Sequence, residues 1–80
     1  MKIEIKVPQL GLTTEYVVLK KWNVQAGQKV KKNMPVAEIE SEKAILEIES
    51  PADGVLVEIV AQEDEELTIQ QVMGYIETEE

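Results

Sequence analysis

Ile3, Ile5 and Val7 alternate with Lys2, Glu4 and Lys6, the period-two signature of a strand with one face toward a core. Pro8 stops that run. Gln9 to Tyr16, with Gly11 and two threonines, reads as a loop. A second strand is expected from Tyr16 to Val24, although the doublet Lys20-Lys21 breaks its alternation. Gln25-Ala26-Gly27-Gln28 predicts a turn with Gly27 available for a positive φ. Lys29-Val30-Lys31 is a short strand, and Lys32 to Pro35 turns again, with Asn33 tolerated in a left-handed position. Val36 to Ile39 and Ala44 to Ile48 are two apolar-alternating runs around a polar step. They predict a β-hairpin turning near Ser41 to Lys43, of type I because no Gly or Asn is available. Ser50-Pro51-Ala52-Asp53-Gly54 is a turn. A strand from Gly54 to Ala61, an acidic turn at Glu63 to Glu66, a short strand from Leu67 to Ile69 and a last one from Met73 to Glu77 complete the pattern. Short strands between turn signals, with no long helical period, predict an all-β sandwich or barrel.

The pattern also repeats. A shift of 37 positions aligns Val18 to Ser41 with Val55 to Thr78 without a gap. Leu19 meets Leu56, Trp22 meets Ile59, Val30 meets Leu67, Val36 meets Met73 and Ile39 meets Ile76. A second match, at a shift of 43, sets Ile3, Ile5 and Pro8 against Leu46, Ile48 and Pro51. The difference is a six-residue insertion inside Gln9 to Val17. A pseudo-twofold axis is the expected result. It makes Glu80 the equivalent of Lys43, and so sets the hairpin tip at one end of the molecule and both chain termini near the other.

Composition narrows the chemistry. Eighty residues form a single domain, 1–80, with Thr78 to Glu80 as the expected start of a linker. The chain has no cysteine and no histidine, so the thiol nucleophile, the commonest general base and the commonest metal ligand are all missing. A catalytic role for the domain by itself is not expected. Sixteen acidic residues against eight basic ones give a net charge of −8, unfavourable for nucleic acid or an anionic membrane. No apolar run approaches the ~20 residues of a bilayer span. Met1 to Ile5 has no signal-peptide core, so a cytoplasmic location is expected, as a monomer. The acidic run at Glu63 lacks the spacing of a calcium loop and reads as a solvated turn. Trp22 is read as core. A lysine at a hairpin tip suits covalent attachment, but these residues alone fit a solvated surface lysine better.

The run Glu40-Ser41-Glu42-Lys43-Ala44, followed by Glu47, Ser50-Pro51 and Gly54, resembles the lipoyl domain of 2-oxo acid dehydrogenase acyltransferases. Val7 to Thr13, Lys21-Trp22 through Gly27, and Val30 to Pro35 resemble other segments of the same domain, so nearly the whole chain is covered. The resemblance implies a flattened β-barrel, a barrel-sandwich hybrid of two four-stranded antiparallel sheets with pseudo-twofold symmetry. It implies that the insertion is an exposed loop near the tip, and that Lys43 carries lipoic acid through an amide. The arm would take an acyl group and two electrons from the 2-oxo acid dehydrogenase (decarboxylase) component and pass the acyl group to an acyltransferase catalytic domain. A flavoprotein, dihydrolipoamide dehydrogenase, would then reoxidise it. A lipoate ligase or lipoyl transferase would attach it. All redox sulfur then belongs to the cofactor.

Around the tip, Glu40, Ser41, Glu42, Ala44 and Ile45 are candidate recognition residues. Alternation turns Ile45 outward if Leu46 and Ile48 point inward. The sequence departs from the family at Asp64 and Gln70, where glycine is usual, so strained, longer or differently shaped turns are expected there. A biotin carrier domain shares the architecture but flanks its lysine with methionines, where this chain has Glu42 and Ala44. A cofactor-free barrel-sandwich adaptor is the third reading.

Overall fold

The computed structural model describes residues 1–9, 16–41 and 44–78. The expected loop insertion and the turn residues Glu42 and Lys43 fall outside the described residues. The described residues form strands β1 (Lys2–Lys6), β2 (Tyr16–Trp22), β3 (Lys29–Val30), β4 (Pro35–Glu40), β5 (Ile45–Glu49), β6 (Gly54–Ile59), β7 (Glu66–Thr68) and β8 (Val72–Glu77). Each expected strand is present, with ends shifted by one or two residues. β2 and β6 stop before Val24 and Ala61, because those residues turn into the core and are fully buried. Pro35 joins β4 as its first residue, where a missing N–H costs no ladder bond.

The strands make two antiparallel four-stranded sheets, ordered β1-β8-β6-β3 and β5-β4-β2-β7. The sheets stack as a flattened sandwich and do not close into one continuous ladder. Inward residues of both fill the core. Leu19 and Leu56, Val30 and Leu67, Val36 and Met73, Ile39 and Ile76, and Ile5 and Ile48 are all buried. These are the pairs that the two sequence shifts align. The dyad is therefore real in the packing.

It is equally real in the backbone. Lys20 is the extra residue of a β-bulge between Leu19 and Lys21, which explains the broken alternation of the lysine doublet. A matching bulge separates Leu56 from Glu58. Among the described residues four have positive φ, and they form two dyad pairs. Gly27 (93°) matches Asp64 (67°), and Asn33 (72°) matches Gln70 (72°). The turns at Asp64 and Gln70 are thus not longer or differently shaped. They keep the left-handed geometry of their partners without the glycine that favours it.

The hydrogen bonds at these corners also match. Asn33 N–H donates to Ser50 O and Ser50 N–H to Met34 O, both at 2.9 Å. Gln70 N–H donates to Val7 O at 2.9 Å and Val7 N–H to Gln71 O at 3.0 Å. Buried Ser50 satisfies its hydroxyl by donating to Ala52 O at 2.6 Å. Gly54, read from sequence as part of a turn, has a second reason to be glycine. A Cβ there would fall on the Glu77 carbonyl oxygen and lie 2.8 Å from Ile76 Cγ2. Trp22 is half-buried against the core, with its indole N–H donating to Ala61 O at 3.0 Å.

Two substitutions check this reading by urea denaturation. Gln70→Gly relieves a left-handed side chain at an exposed corner, and its expected gain is about 0.5–1 kcal/mol after the added freedom of glycine in the unfolded chain. Gly54→Ala forces β6 away from β8, with an expected loss of about 2 kcal/mol.

Candidate functional site

Among the eight strands, only β4 and β5 are both consecutive in sequence and neighbours in one sheet. Every other connection crosses to the opposite sheet. A crossing segment is drawn back over the edge of the sandwich, whereas a hairpin ends in free space. This topology makes the β4–β5 tip a projecting element.

The tip is framed by described residues on both sides. Glu40 pairs with Ile45 at the end of the ladder. Beyond it, Ser41 N–H donates to Ala44 O at 2.9 Å, and the Ser41 hydroxyl donates to the same oxygen at 3.2 Å. Glu42 and Lys43, the residues carried between them, lie outside the described residues. Ser41 is half-buried, and Glu40, Ala44 and Ile45 are exposed. Leu46 and Ile48 point inward, as alternation requires, and Ile45 is 60% exposed. For an apolar residue at the edge of a sheet, that exposure is high.

The counterpart of this frame is the pair of chain ends. Thr78 N–H donates to Met1 O at 2.8 Å, as Ser41 does to Ala44 under the two shifts of the repeat. Thr78, expected to begin a linker, is thereby tied to the first residue, and the Met1 ammonium lies 3.2 Å from Glu77 Oε1. The two frames lie at opposite ends. β5 runs from the tip to Glu49, and the short Ser50–Asp53 corner then delivers Gly54 to the side of Glu77. The molecule measures 37 Å along its longest axis against 21 and 18 Å across.

Electrostatics at the tip are acidic. Glu38 and Glu47 face each other across β4 and β5, a like-charge pair relieved by Lys21, whose Nζ lies 3.9 Å from Glu38 Oε2. Lys20, the bulged residue, lies 3.8 Å from Glu40. The bulge thus turns both lysines toward the acids of β4, an arrangement that strand alternation alone did not foretell. In the acidic turn, Glu65 Oε1 accepts from Gln62 N–H at 3.0 Å, so one of its carboxylates closes the turn. Among the described residues no group of His, Cys, Asp and Glu is arranged to hold a metal ion.

The frame fits a covalently tethered group. Glu40, Ala44 and Ile45 are exposed, the small residue Ala44 leaves room on one side, and the chain ends stand away from it. Spin labels at residues 41 and 78 should give a distance distribution centred above about 25 Å, since the six residues of β4 alone span ~20 Å. A centre below about 15 Å would overturn the opposed placement of tip and termini.

Comparison with known proteins identifies relatives of the whole chain. The family described as "Biotin-requiring enzyme" matches residues 3–76. The succinyltransferase component of the 2-oxoglutarate dehydrogenase complex of Haemophilus influenzae is 37% identical over 78 residues, covering 98% of this chain and 19% of that protein. The acetyltransferase component of the pyruvate dehydrogenase complex of Zymomonas mobilis is 39% identical over 75 residues, covering 92% and 17%. A similar acetyltransferase component of the acetoin cleaving system of Bacillus subtilis is 34% identical over 76 residues, covering 95% and 19%. The chain thus spans about a fifth of the length of these curated relatives. The solution structure of the lipoyl domain of the 2-oxoglutarate dehydrogenase complex from Azotobacter vinelandii superposes with a TM-score of 0.78 at 28% identity, covering 95% of this chain and 96% of that one.

Proposed function

This chain belongs to the biotin/lipoyl attachment family, and from that premise we propose that it is a lipoyl carrier domain, not itself catalytic, with lipoic acid joined through an amide to Lys43. The observation that carries the reading is a coincidence of sequence and topology. The Glu40-Ser41-Glu42-Lys43-Ala44 core falls at the one within-sheet hairpin among the described strands, opposite the chain ends, in a fold shared with a lipoyl domain over 95% of the chain.

When bound, lipoic acid supplies a reversible dithiol/disulfide couple and a thiol that carries acyl groups. The chain's own residues supply position. The Ser41–Ala44 bonds fix the width of the hairpin at its tip. The sandwich behind them holds the tip away from the chain ends, so that a tether there leaves the arm unobstructed. Tethering then raises the arm's effective concentration at each site it visits. Acylation of Lys43 would remove an ammonium charge, which leaves the tip more acidic still.

Two of the relatives named above are acyltransferase components of 2-oxo acid dehydrogenase complexes and the third belongs to an acetoin cleaving system, and the proposed partners follow from the first two. They are a decarboxylating dehydrogenase component, an acyltransferase catalytic domain, dihydrolipoamide dehydrogenase and a lipoate ligase or lipoyl transferase. No observation favours the methionine-flanked biotin site or the cofactor-free adaptor over the lipoyl reading.

Co-expression with lipoate ligase, and separately with biotin ligase, followed by intact-mass measurement, tests the reading. A lipoyl increment that disappears in Lys43→Ala is expected. No increment from lipoate ligase would sink the carrier role. Glu42→Met with Ala44→Met should move acceptance toward biotin, measured the same way, and unchanged lipoylation would mean that the ligase reads turn position alone.

A further inference from the structure

A two-residue β-hairpin closes on a pair of main-chain bonds, each end residue donating to the carbonyl of the other. The β4–β5 tip is closed differently. Ser41 N–H donates to Ala44 O at 2.9 Å, but among the described residues the reciprocal bond, from Ala44 N–H to Ser41 O, is not formed. A side chain supplies the second bond instead. The Ser41 hydroxyl donates to the same Ala44 O at 3.2 Å, and the two lone pairs of a carbonyl oxygen can receive both donors. Beyond the Glu40–Ile45 pair of the ladder, both bonds that close the tip therefore come from residue 41. Without the hydroxyl a single bond would remain at the exposed end of a ladder, the kind of place where a sheet opens locally.

The pseudo-dyad repeats this clamp at the other end of the molecule. The shift of 37 carries Ser41 onto Thr78, and the shift of 43 carries Ala44 onto Met1. Thr78 N–H donates to Met1 O at 2.8 Å, and the Thr78 hydroxyl donates to the same oxygen at 3.2 Å. Donors, acceptor and distances all match. Serine and threonine are the residues that carry a hydroxyl on Cβ, within reach of a nearby main-chain group. The clamp recurs where no lysine stands, since Glu80 is the equivalent of Lys43, so it belongs to the fold. What differs is the chain that each clamp holds. At the split tip it ties together two separate segments. At the closed tip it ties the two residues that flank Glu42-Lys43, and so constrains a span of only two residues.

We propose that the Ser41 hydroxyl is the positioning group of the attachment site: by holding Ala44 O it keeps the tip closed in the form that a lipoate ligase binds. The inference rests on the carrier reading above and names the side chain on which attachment depends besides Lys43 itself. The step it serves is amide formation. The ligase makes lipoyl adenylate from lipoate and ATP, releasing pyrophosphate. The Lys43 amine then attacks the carboxyl carbon, the C–N bond forms, AMP leaves and the amine gives up a proton. Nothing is oxidised or reduced, and Ser41 takes no part in bond making. It acts on the fraction of chains whose tip is closed, so its loss raises KM and spares kcat.

The dyad also names the substitutions for the test. Threonine already makes the same two bonds in this frame at residue 78, and valine has the shape of threonine without the hydroxyl. The chain is incubated with purified lipoate ligase, lipoic acid and ATP, and attachment is followed by intact mass over a range of chain concentrations. A thermal melt confirms that each variant is folded at the assay temperature. Ser41→Thr should match the parent. Ser41→Val should raise KM by about threefold or more at unchanged kcat, the weight of one neutral hydrogen bond at a tip that opens and closes. Thr78→Val removes the equivalent bond at the other end and should leave KM and kcat unchanged. A parental KM in Ser41→Val, an equal loss in Thr78→Val, or a loss in Ser41→Thr overturns the positioning role while the carrier reading stands. A parent chain that takes up no lipoyl group overturns both.

Discussion

Each half of the chain passes between the sheets at a left-handed residue, and the main-chain hydrogen bonds made there decide everything downstream. Asn33 and Gln70 turn the chain so that their amides reach Ser50 O and Val7 O, while Ser50 and Val7 donate back to Met34 O and Gln71 O. Those reciprocal pairs fix where β4 and β8 begin. Once β4 begins at Pro35, the inward alternation of Val36, Ala37 and Ile39 and the register with β5 follow, and the tip falls between Ser41 and Ala44. A slip of one residue would send the buried set of β4 to the surface. The corners therefore set the position of the β4–β5 hairpin from its far end.

The same geometry explains how a nearly symmetric object comes to have two unlike ends. A twofold sandwich has two equivalent tips. In this chain one is a closed hairpin, and the other is split into the first and last residues, held by Thr78 and Met1. Symmetry alone separates the two tips by the length of the molecule.

Much of this was legible in the residues. Alternation located every strand, because a half-buried strand must repeat every second residue. The gapless shift of 37 predicted a dyad that extends to the bulges and left-handed corners. Ile45 was expected to face outward and does. Of the strained, longer or differently shaped turns expected at Asp64 and Gln70, the strained alternative is what the backbone adopts, because the corner bonds hold the left-handed geometry even where glycine is absent. The bond from Thr78 to Met1 was not legible in the polar run at residues 78 to 80, because it joins residues far apart in the chain.

What the sequence determined by itself is local or periodic. Strand positions, the hairpin, the internal repeat and the lysine at its tip all rest on neighbours within a few residues or on a fixed spacing. Tertiary structure alone decided which distant residues share a surface. Glu66 stands beside Val18 because β7 pairs with β2 and not with β6, which precedes it in the chain. Gly54 must be glycine because β8 passes against it. Pairing between strands far apart in sequence depends on how two sheets stack to bury one core, and no single segment carries that information.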